Sequence, residues 1–286
     1  YPPQHISEDI QAQILDETKR ISNALKIIGM INIQFIEFRG ELNIIEVNPR
    51  SSRTVPYITK VTGVPVIDIA TNVMLGSKLA DMGYSTGIAP TPDVVAVKVP
   101  VFSTEKLPQV EVSLGPEMRS TGEVLGLSKS WGEAFYKAQE ATQTRIPLEG
   151  TVLISVSDKD KPEVAELARE FAEAGFKIIA SKNTCKVIRE AGVEAEMVNK
   201  LSEGRPNMLD VITNGKVDMI VNTPSGKESK NDDSYLRKAA IKKKVPYMTT
   251  MAAAKAAANG ILAVKKHGSK EVKSLQEIHG EITDKE

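Results

Sequence analysis

The chain has 286 residues, with 37 basic and 37 acidic side chains, and 41% of it is hydrophobic. A chain of this length and apolar content can bury a sizeable core, and we expect two domains. The balanced charge argues against nucleic-acid binding, which calls for a clustered basic face. With Cys185 as the single cysteine, no internal disulfide can form, and a reducing, cytoplasmic compartment is the simplest expectation. No apolar run reaches the roughly 18 residues of a membrane span and the first residues lack a signal-peptide layout, so we expect no membrane association.

The first predicted elements are a helix and a hairpin. Residues 7–28 have a helical period of apolar side chains, and Ser7 followed by two acidic residues is a typical helix start. Apolar alternation on both sides of the turn at Arg39-Gly40 predicts a two-stranded antiparallel hairpin. Side chains two positions apart on a strand share a face, so Glu46 and Asn48 should point together.

The hairpin also brings together oxygen ligands and guanidinium groups. The Glu46 carboxylate, the Asn48 carbonyl and, from the partner strand, the Gln34 carbonyl form a hard oxygen set that suits Mg²⁺. Arg50 and Arg53 then supply planar donors for phosphate groups. On spacing alone, a polar pair on a solvated hairpin edge is the more common case, because short motifs of this kind occur in many hairpins.

The remainder of the first half predicts a helix at residues 66–75, a buried strand at residues 93–102 and a helix at about residues 133–141. The stretch from Thr144 to Gly150 has the composition of a linker. We therefore place a domain boundary between Glu149 and Gly150, which gives domains of residues 1–149 and 150–286.

Beyond that boundary, short apolar strands alternate with helices, which predicts a mostly parallel sheet covered by helices. The strands are expected at residues 152–156, 176–180, 217–221 and 247–249, and the helices at residues 161–174, 184–190, 232–243 and 251–258. Ligands of such sheets bind where loops leave the carboxyl ends of the strands. Hydroxyl, amide and lysine side chains in these loops predict an anion site at helix N-termini. Ordinary polar loops with helix caps at Ser181 or Thr184 remain the alternative.

Two longer motifs resemble one known family. Gln34 and the string Glu46-Val47-Asn48-Pro49-Arg50-Ser51-Ser52-Arg53 resemble the end of an ATP-grasp unit in the carbamoyl phosphate synthase large subunit. Leu153-Ile154-Ser155-Val156-Ser157-Asp158-Lys159 and Val221-Asn222-Thr223-Pro224 resemble the methylglyoxal-synthase-like domain that ends the same subunit. Together the two resemblances cover essentially the whole chain in the expected order.

The resemblance implies a fold and an activity. The fold would be a partial ATP-grasp lobe with an antiparallel hairpin, of α+β type, followed by an α/β domain with a parallel sheet. Because the regulatory domain follows directly, the ATP-grasp piece should belong to the second kinase unit, which phosphorylates carbamate with ATP. The implied enzyme is a glutamine-dependent ligase that makes carbamoyl phosphate for pyrimidine and arginine biosynthesis, works with a glutaminase small subunit and forms homo-oligomers.

The family's functional residues map onto this sequence. Gln34, Glu46 and Asn48 match ligands of Mg²⁺ or Mn²⁺, with Gln34 and Glu46 also at the ATP site, and Arg50 and Arg53 match catalytic arginines that face the phosphoryl groups. In the second domain, six residues match the binding site of a nucleotide effector such as UMP or IMP: Lys161, Ser181, Thr184, Lys200, Asn222 and Ser234.

Departures from the family pattern leave the effector open. The usual Thr-x-Gly-Thr loop is Ser181-Lys182-Asn183-Thr184 here, and Pro224 stands where some members carry a second threonine. Tyr247 and Thr249 match part of an ornithine site, but Val99 replaces a glutamate of ornithine-responsive members, so ornithine activation is not predicted.

Alternatives from other classes were weighed against the same residues. The glycine-rich phosphate loop and adenine-holding residues of a complete ATP-grasp unit are absent, so we expect a C-terminal fragment, either an expressed piece or part of a split subunit, without activity by itself. A nucleotide-binding regulatory module without a catalytic role is the main alternative. A free-standing methylglyoxal synthase would need a Gly-Asp-Gln-Gln segment where Glu203-Gly204-Arg205-Pro206 stands, and the cyclohydrolase that closes IMP would need an Asp-Gly-Arg-Val-Lys-Thr-Leu-His-Pro segment that this chain lacks.

Overall fold

A computed structural model describes residues 1–103, 117–142, 145–225, 227–267 and 273–283. The chain divides into two compact units, the first formed by Tyr1–Val94 with Val272–Glu286 and the second by Val95–Glu271. Thr144 of the predicted linker lies outside the described residues.

The first unit opens with the predicted helix and hairpin. Helix α1 (Glu8–Ala24) begins after Ser7, whose Oγ accepts the Ile10 N–H at 3.3 Å. Strands β1 (Asn32–Phe38) and β2 (Glu41–Asn48) pair antiparallel. Arg39 and Gly40 both have positive φ, 56° and 81°, which is the two-residue turn that matches the right-handed twist of the flanking strands. The predicted hairpin is confirmed.

Two helices continue this unit. Helix α2 (Thr54–Thr62) ends at Gly63, where a φ of 74° suits a residue without a Cβ. Helix α3 (Val66–Met74) is the helix predicted at residues 66–75, and a 3₁₀ turn follows at Leu79–Met82.

The second unit begins with strands β3 (Val95–Val101) and β4 (Gly122–Ser128), which pair antiparallel, and helix α4 (Trp131–Glu140). Gly126 lets α4 approach β4 closely, because a Cβ at this position would lie 2.0 Å from the Ala134 carbonyl oxygen. These elements belong to the same compact unit as residues 150–271, although the sequence assigned them to the first domain. A compact unit and a family domain are different divisions of a chain, and the boundary at 149/150 stays a prediction.

Strands and helices alternate through the rest of the second unit. In order they are β5 (Gly150–Val156), α5 (Lys161–Glu173), β6 (Phe176–Ser181), α6 (Lys182–Glu190), β7 (Glu196–Val198), α7 (Met208–Thr213), β8 (Met219–Thr223), α8 (Lys227–Lys243), β9 (Tyr247–Met248) and α9 (Met251–His267). Within the described residues, the five strands form one parallel sheet in the order β7-β6-β5-β8-β9. The short elements β7 and α7 were not predicted.

The central strand β5 is buried on both faces. Val152 and Ile154 pack in one apolar cluster with α5, α6 and α9, whereas Leu153 between them packs in a second cluster with α7 and α8. Burial on both faces is the reason that this strand is continuously apolar rather than alternating. The predicted parallel sheet covered by helices, and with it the mixed α/β and α+β class of the chain, is confirmed.

Helix α10 (Leu275–Thr283) belongs to the first unit and packs against α2 there, with His279 Nε2 lying 2.7 Å from the Lys60 carbonyl oxygen. Across the described ranges, no helix combines the length and the apolar character that crossing a membrane requires.

Candidate functional site

The predicted metal ligands lie together on one face of the hairpin. Gln34 and Glu46 are directly paired across β1 and β2, and a register shift follows immediately between Gln34 and Phe35. Gln34 Nε2 and Asn48 Nδ2 each donate to Glu46 Oε1, both at 2.8 Å. Oε1 of the exposed Glu46 carboxylate therefore accepts one hydrogen bond from an amide on each strand.

This arrangement can be converted into an oxygen ligand set. The oxygen and nitrogen of an amide are assigned from hydrogen bonding, and each amide carries a carbonyl oxygen on its other side. Rotation of the Gln34 and Asn48 amides by half a turn would present two carbonyl oxygens beside the Glu46 carboxylate. A carboxylate with two amide oxygens fits Mg²⁺ or Mn²⁺ when water and substrate phosphates complete the coordination.

The two arginines follow the hairpin. Arg50 Nη2 donates to Asn48 Oδ1 at 3.3 Å and Arg50 Nη1 donates to the Ser51 carbonyl at 2.9 Å, so the guanidinium group stands next to the predicted metal ligands. Arg53 is the residue that precedes the first turn of α2, and its side chain is exposed. We call Gln34, Glu46, Asn48 and Arg50 the hairpin face. Glu46 is the one carboxylate among these four residues. In the part of the chain that the structure describes, no group of three or more His, Cys, Asp or Glu side chains could hold a metal.

A second candidate site lies at the carboxyl ends of the parallel strands. Here β5 pairs with β8, with Ser155 opposite Asn222 and Val156 opposite Thr223. A cavity of about 160 Å³ opens at this edge. We call it the strand-end pocket, and its lining residues are Ser155, Val156, Ser157, Asp158, Lys161, Ser181, Asn183, Thr184, Lys200, Asn222, Thr223 and Ser225.

Two helices begin at this pocket without side-chain caps. The residue before α5 is Asp160 and the residue before α6 is Ser181, and neither side chain accepts a cap hydrogen bond from its helix. At α5 the Lys161 N–H donates to the Asp158 carbonyl and Pro162 has no N–H, so the first N–H groups left uncapped by a side chain are mainly those of α6. The positive end of each helix dipole favours an anion. The alternative prediction, in which Ser181 caps its helix, is wrong, because Ser181 Oγ instead donates to Thr184 Oγ1 at 3.2 Å.

Thr184 is held firmly in the pocket wall. Only 1% of it is exposed, and its Oγ1 accepts the Val156 N–H at 3.3 Å as well as the Ser181 hydroxyl. Since both contacts use the oxygen as an acceptor, the hydroxyl hydrogen of Thr184 can still be donated to a ligand.

Lysines give the pocket its positive charge. Lys161 pairs with Asp158, whose side chain is 92% exposed, so water screens this ion pair. The hydrogen bond from Lys161, the charge of the same lysine and the more distant charge of Lys200 hold the pKa of Asp158 below its ordinary value. Both lysines therefore act on the same small volume, where an incoming phosphate could replace the Asp158 carboxylate.

A second acidic residue, Asp160, stabilises the loop that precedes Lys161. Asp160 Oδ2 accepts hydrogen bonds from Ser157 Oγ at 2.7 Å and from Thr223 Oγ1 at 2.6 Å, and Thr223 Oγ1 accepts the Ser157 N–H at 3.0 Å. Burial alone would raise the pKa of Asp160, but the hydrogen bonds from Thr223 and Ser157 outweigh it and the pKa lies below its ordinary value. The Thr223 hydroxyl hydrogen is committed to Asp160, so Thr223 supports the pocket rather than donating to a ligand.

The structure thus brings together Lys161, Ser181, Thr184, Lys200 and Asn222 of the predicted nucleotide site. Ser234 lies on α8 and is not among the described residues that line the pocket. Sequence reasoning did not predict that Asp160 accepts a hydrogen bond from Thr223. No local pattern indicates this contact, because the two residues are 63 positions apart.

Two family models match this chain. Residues 1–82 match the carbamoyl-phosphate synthase L chain, ATP binding domain, and residues 163–249 match the MGS-like domain. The first match contains the hairpin face and the second contains most of the strand-end pocket. The two matches thus follow each other along the chain, the ATP-binding-domain match first and the MGS-like match second.

The most similar relatives include carbamoyl phosphate synthase large chains of three clostridia. The protein of Clostridium botulinum is 51% identical over 258 residues, that of Clostridium beijerinckii 51% over 253 residues and that of Clostridium perfringens 51% over 258 residues. These alignments cover 90%, 88% and 90% of this chain but 24% of each relative, so the chain spans about a quarter of their length. Over about nine tenths of its length, the chain is therefore similar to one segment of carbamoyl phosphate synthase large chains.

Among solved structures, a methylglyoxal synthase from Elizabethkingia anophelis aligns with 38% of this chain and 77% of its own at 19% identity and a TM-score of 0.33. A TM-score of this size does not assign a fold.

Proposed function

We propose that this chain forms part of the large subunit of a glutamine-dependent carbamoyl phosphate synthase. In that enzyme the hairpin face would serve the ATP-dependent phosphorylation of carbamate, and the strand-end pocket would bind a regulatory nucleotide. The observation that carries the proposal is the convergence of Gln34 and Asn48 on the Glu46 carboxylate, with Arg50 bound to the same Asn48. The implied partner is a glutaminase small subunit, and the parent enzyme would be a homo-oligomer.

At the hairpin face, Glu46, Gln34 and Asn48 would hold Mg²⁺ or Mn²⁺. When bound, such an ion neutralises charge that develops on the phosphate oxygens of ATP. Arg50 also donates to the Ser51 carbonyl, a hydrogen bond that rotation of the Asn48 amide leaves intact, so its guanidinium group stays beside the metal ligands where a phosphoryl oxygen would bind. Arg53, three residues further along the chain, would supply a second guanidinium group to donate to the phosphoryl oxygens.

The catalytic part of the proposal is tested in the complete large chain that carries this sequence. Glu46→Gln or Arg53→Ala should lower ATP formation from carbamoyl phosphate and ADP by a factor of about 10² or more, because each removes a preorganised charge contact. Bicarbonate-dependent ATP hydrolysis, which belongs to the other kinase unit, should persist. Glu41→Gln is the matched control, since it makes the same charge change on the same strand away from the hairpin face. Loss of both activities with an intact fold would contradict the assignment to the second unit.

At the strand-end pocket, we propose that a nucleoside monophosphate such as UMP or IMP binds through its phosphate. The supports are the N-terminus of α6 without a side-chain cap, the Thr184 hydroxyl and two lysines around one small cavity. Phosphate dianions bind well to such a combination of amides and cations.

Calorimetric titration of the chain with UMP, IMP, uridine and inorganic phosphate tests this part directly. Lys200→Ala should weaken UMP binding by about tenfold or more, since hydrogen bonds to charged groups are the strong ones. Added salt should weaken it further, because part of the attraction is screened. Lys216→Ala is the control, because Lys216 is exposed just before β8, at the opposite end of that strand. No heat with any phosphate compound at millimolar concentration and low salt would refute nucleotide binding.

A regulatory binding module without its own catalysis is the second candidate for the chain by itself. It is favoured because all the lining residues of the strand-end pocket lie within the second compact unit. The chain should then hydrolyse no ATP above background. Steady hydrolysis that disappears in a Glu46→Ala variant would contradict this candidate.

A further inference from the structure

Asn222, in the wall of the strand-end pocket, rests on a buried polar network. Both Asn222 and Asp233 of α8 are only 6% exposed. Asp233 Oδ1 accepts from Asn222 Nδ2 at 2.9 Å and from the Tyr247 hydroxyl at 2.6 Å. Asp233 Oδ2 accepts from Arg237 Nη2 at 2.5 Å. Three elements, β8, α8 and β9, thus meet at one carboxylate.

The charge of that carboxylate decides which way the Asn222 amide points. The Arg237 guanidinium pairs with the Asp233 carboxylate, and a carboxylate can only accept hydrogen bonds. The Asn222 amide must turn its nitrogen, and not its oxygen, toward Asp233. Amide orientation is usually ambiguous, but an acceptor-only neighbour removes the ambiguity here.

Tyr247 fixes the plane of the same amide. Asn222 Nδ2 also donates to the Tyr247 hydroxyl oxygen at 2.8 Å. Because that oxygen lies 2.6 Å from Asp233 Oδ1, both acceptors stand on the same side of the nitrogen. Burial, followed by the hydrogen bond to Asp233, raises the pKa of the Tyr247 phenol, so it stays neutral and keeps donating.

We propose that Asp233 and Tyr247 are positioning residues for the anion in the strand-end pocket, acting through the Asn222 amide that they hold. This inference rests on the proposed nucleotide binding and assigns part of its affinity to residues that lie behind the pocket wall. Neither Asp233 nor Tyr247 is among the described residues that line the pocket. An amide fixed in this way presents the same side to every ligand and loses no rotational freedom on binding.

A double-mutant cycle tests the proposal with UMP and inorganic phosphate as probes. Tyr247→Phe should weaken binding of both probes by about two- to tenfold, the range for one hydrogen bond. In an Asn222→Ala background the same substitution should have no further effect, because the residue through which it acts is gone. If Tyr247 only stabilised the fold, Tyr247→Phe would still weaken probe binding in the Asn222→Ala background. Tyr235→Phe removes a hydroxyl from an exposed tyrosine of α8 and is the matched control.

Asp233→Asn supplies a second measurement, since its amide can donate and would let the Asn222 side chain turn over. Binding should weaken at least as much as in Tyr247→Phe, while thermal unfolding of every variant is followed in parallel. If Asp233→Asn does not fold, the cycle with Tyr247→Phe decides. Wild-type chain that binds neither probe overturns the proposed nucleotide binding and this inference with it. Wild-type binding with an unchanged Tyr247→Phe, or with additive effects in the cycle, overturns the positioning role alone.

Discussion

Gly132 of α4 and Gly260 of α9 allow the backbones of these two helices to touch where they cross. Replacing one of these glycines tests how the helices of the second unit pack. A Cβ at Gly132 would lie 2.9 Å from the Asn259 carbonyl oxygen, 3.1 Å from its carbonyl carbon and 3.3 Å from the Gly260 nitrogen. A Cβ at Gly260 would likewise lie 2.9 Å from the Gly132 carbonyl oxygen. All of these neighbours are backbone atoms, so the helices themselves must move apart to admit a methyl group.

The size of the effect follows from two opposing contributions. Overpacking a tight contact destabilises by about 1–3 kcal/mol. Alanine in place of glycine in a helix recovers up to about 1 kcal/mol, and less in a first turn such as that of Gly132. We therefore expect Gly132→Ala to lower the free energy of unfolding of the second unit by about 1–2 kcal/mol. For a unit of this size that corresponds to a decrease in Tm of about 2–8 °C.

Calorimetry of the whole chain, combined with amide hydrogen exchange, provides the assay. Exchange should become faster in α4 and α9 together, because the two helices separate. Gly280→Ala is the control: no atom lies within 4 Å of a Cβ at this exposed position of α10, so Tm should stay constant or rise. A Gly132→Ala variant with wild-type Tm and unchanged exchange in α9 would refute the close crossing, and with it the placement of α4 in the second unit.

Three further predictions concern single side chains. Asn207→Ala should lower the free energy of unfolding by about 0.5–2 kcal/mol in urea titrations, because the Asn207 side chain caps α7 by accepting from the Leu209 and Asp210 N–H groups at 3.1 and 3.2 Å; an unchanged midpoint would contradict the cap. Thr184→Val should lower it by about 1–3 kcal/mol, because the buried Val156 N–H loses its acceptor, and UMP binding should weaken as well; full stability would show that this N–H finds another partner. Asp160 has a lowered pKa in the folded state, so its contribution to stability is complete above the unfolded value of about 3.9 and is lost as pH falls through the folded value. Urea midpoints of Asp160→Asn should accordingly depend less on pH below about pH 5 than those of the wild type, and parallel curves would contradict the hydrogen bonds to Asp160.

Local chemistry was enough to predict the hairpin face. Alternation with a period of two and a turn at Arg39-Gly40 fix which residues pair and which share a face, so Gln34, Glu46 and Asn48 could be placed together from sequence. The same is true of the parallel sheet, because apolar strands that alternate with helices have few other solutions. Lys161, Thr184 and Asn222 lie at or just after the carboxyl ends of parallel strands, and this position predicted that they would converge. In the structure they line one pocket.

Only the tertiary structure decided what supports these residues. Asp160 meets Thr223 across 63 positions, and Asn222 meets Tyr247 across 25, through contacts that no local pattern encodes. Helix α4, assigned by sequence to the first domain, packs against α9 because glycines on both helices allow their backbones to touch. Such contacts depend on how distant segments pack against one another, and the energy of a buried hydrogen bond or a close helix crossing exists only once that packing has formed.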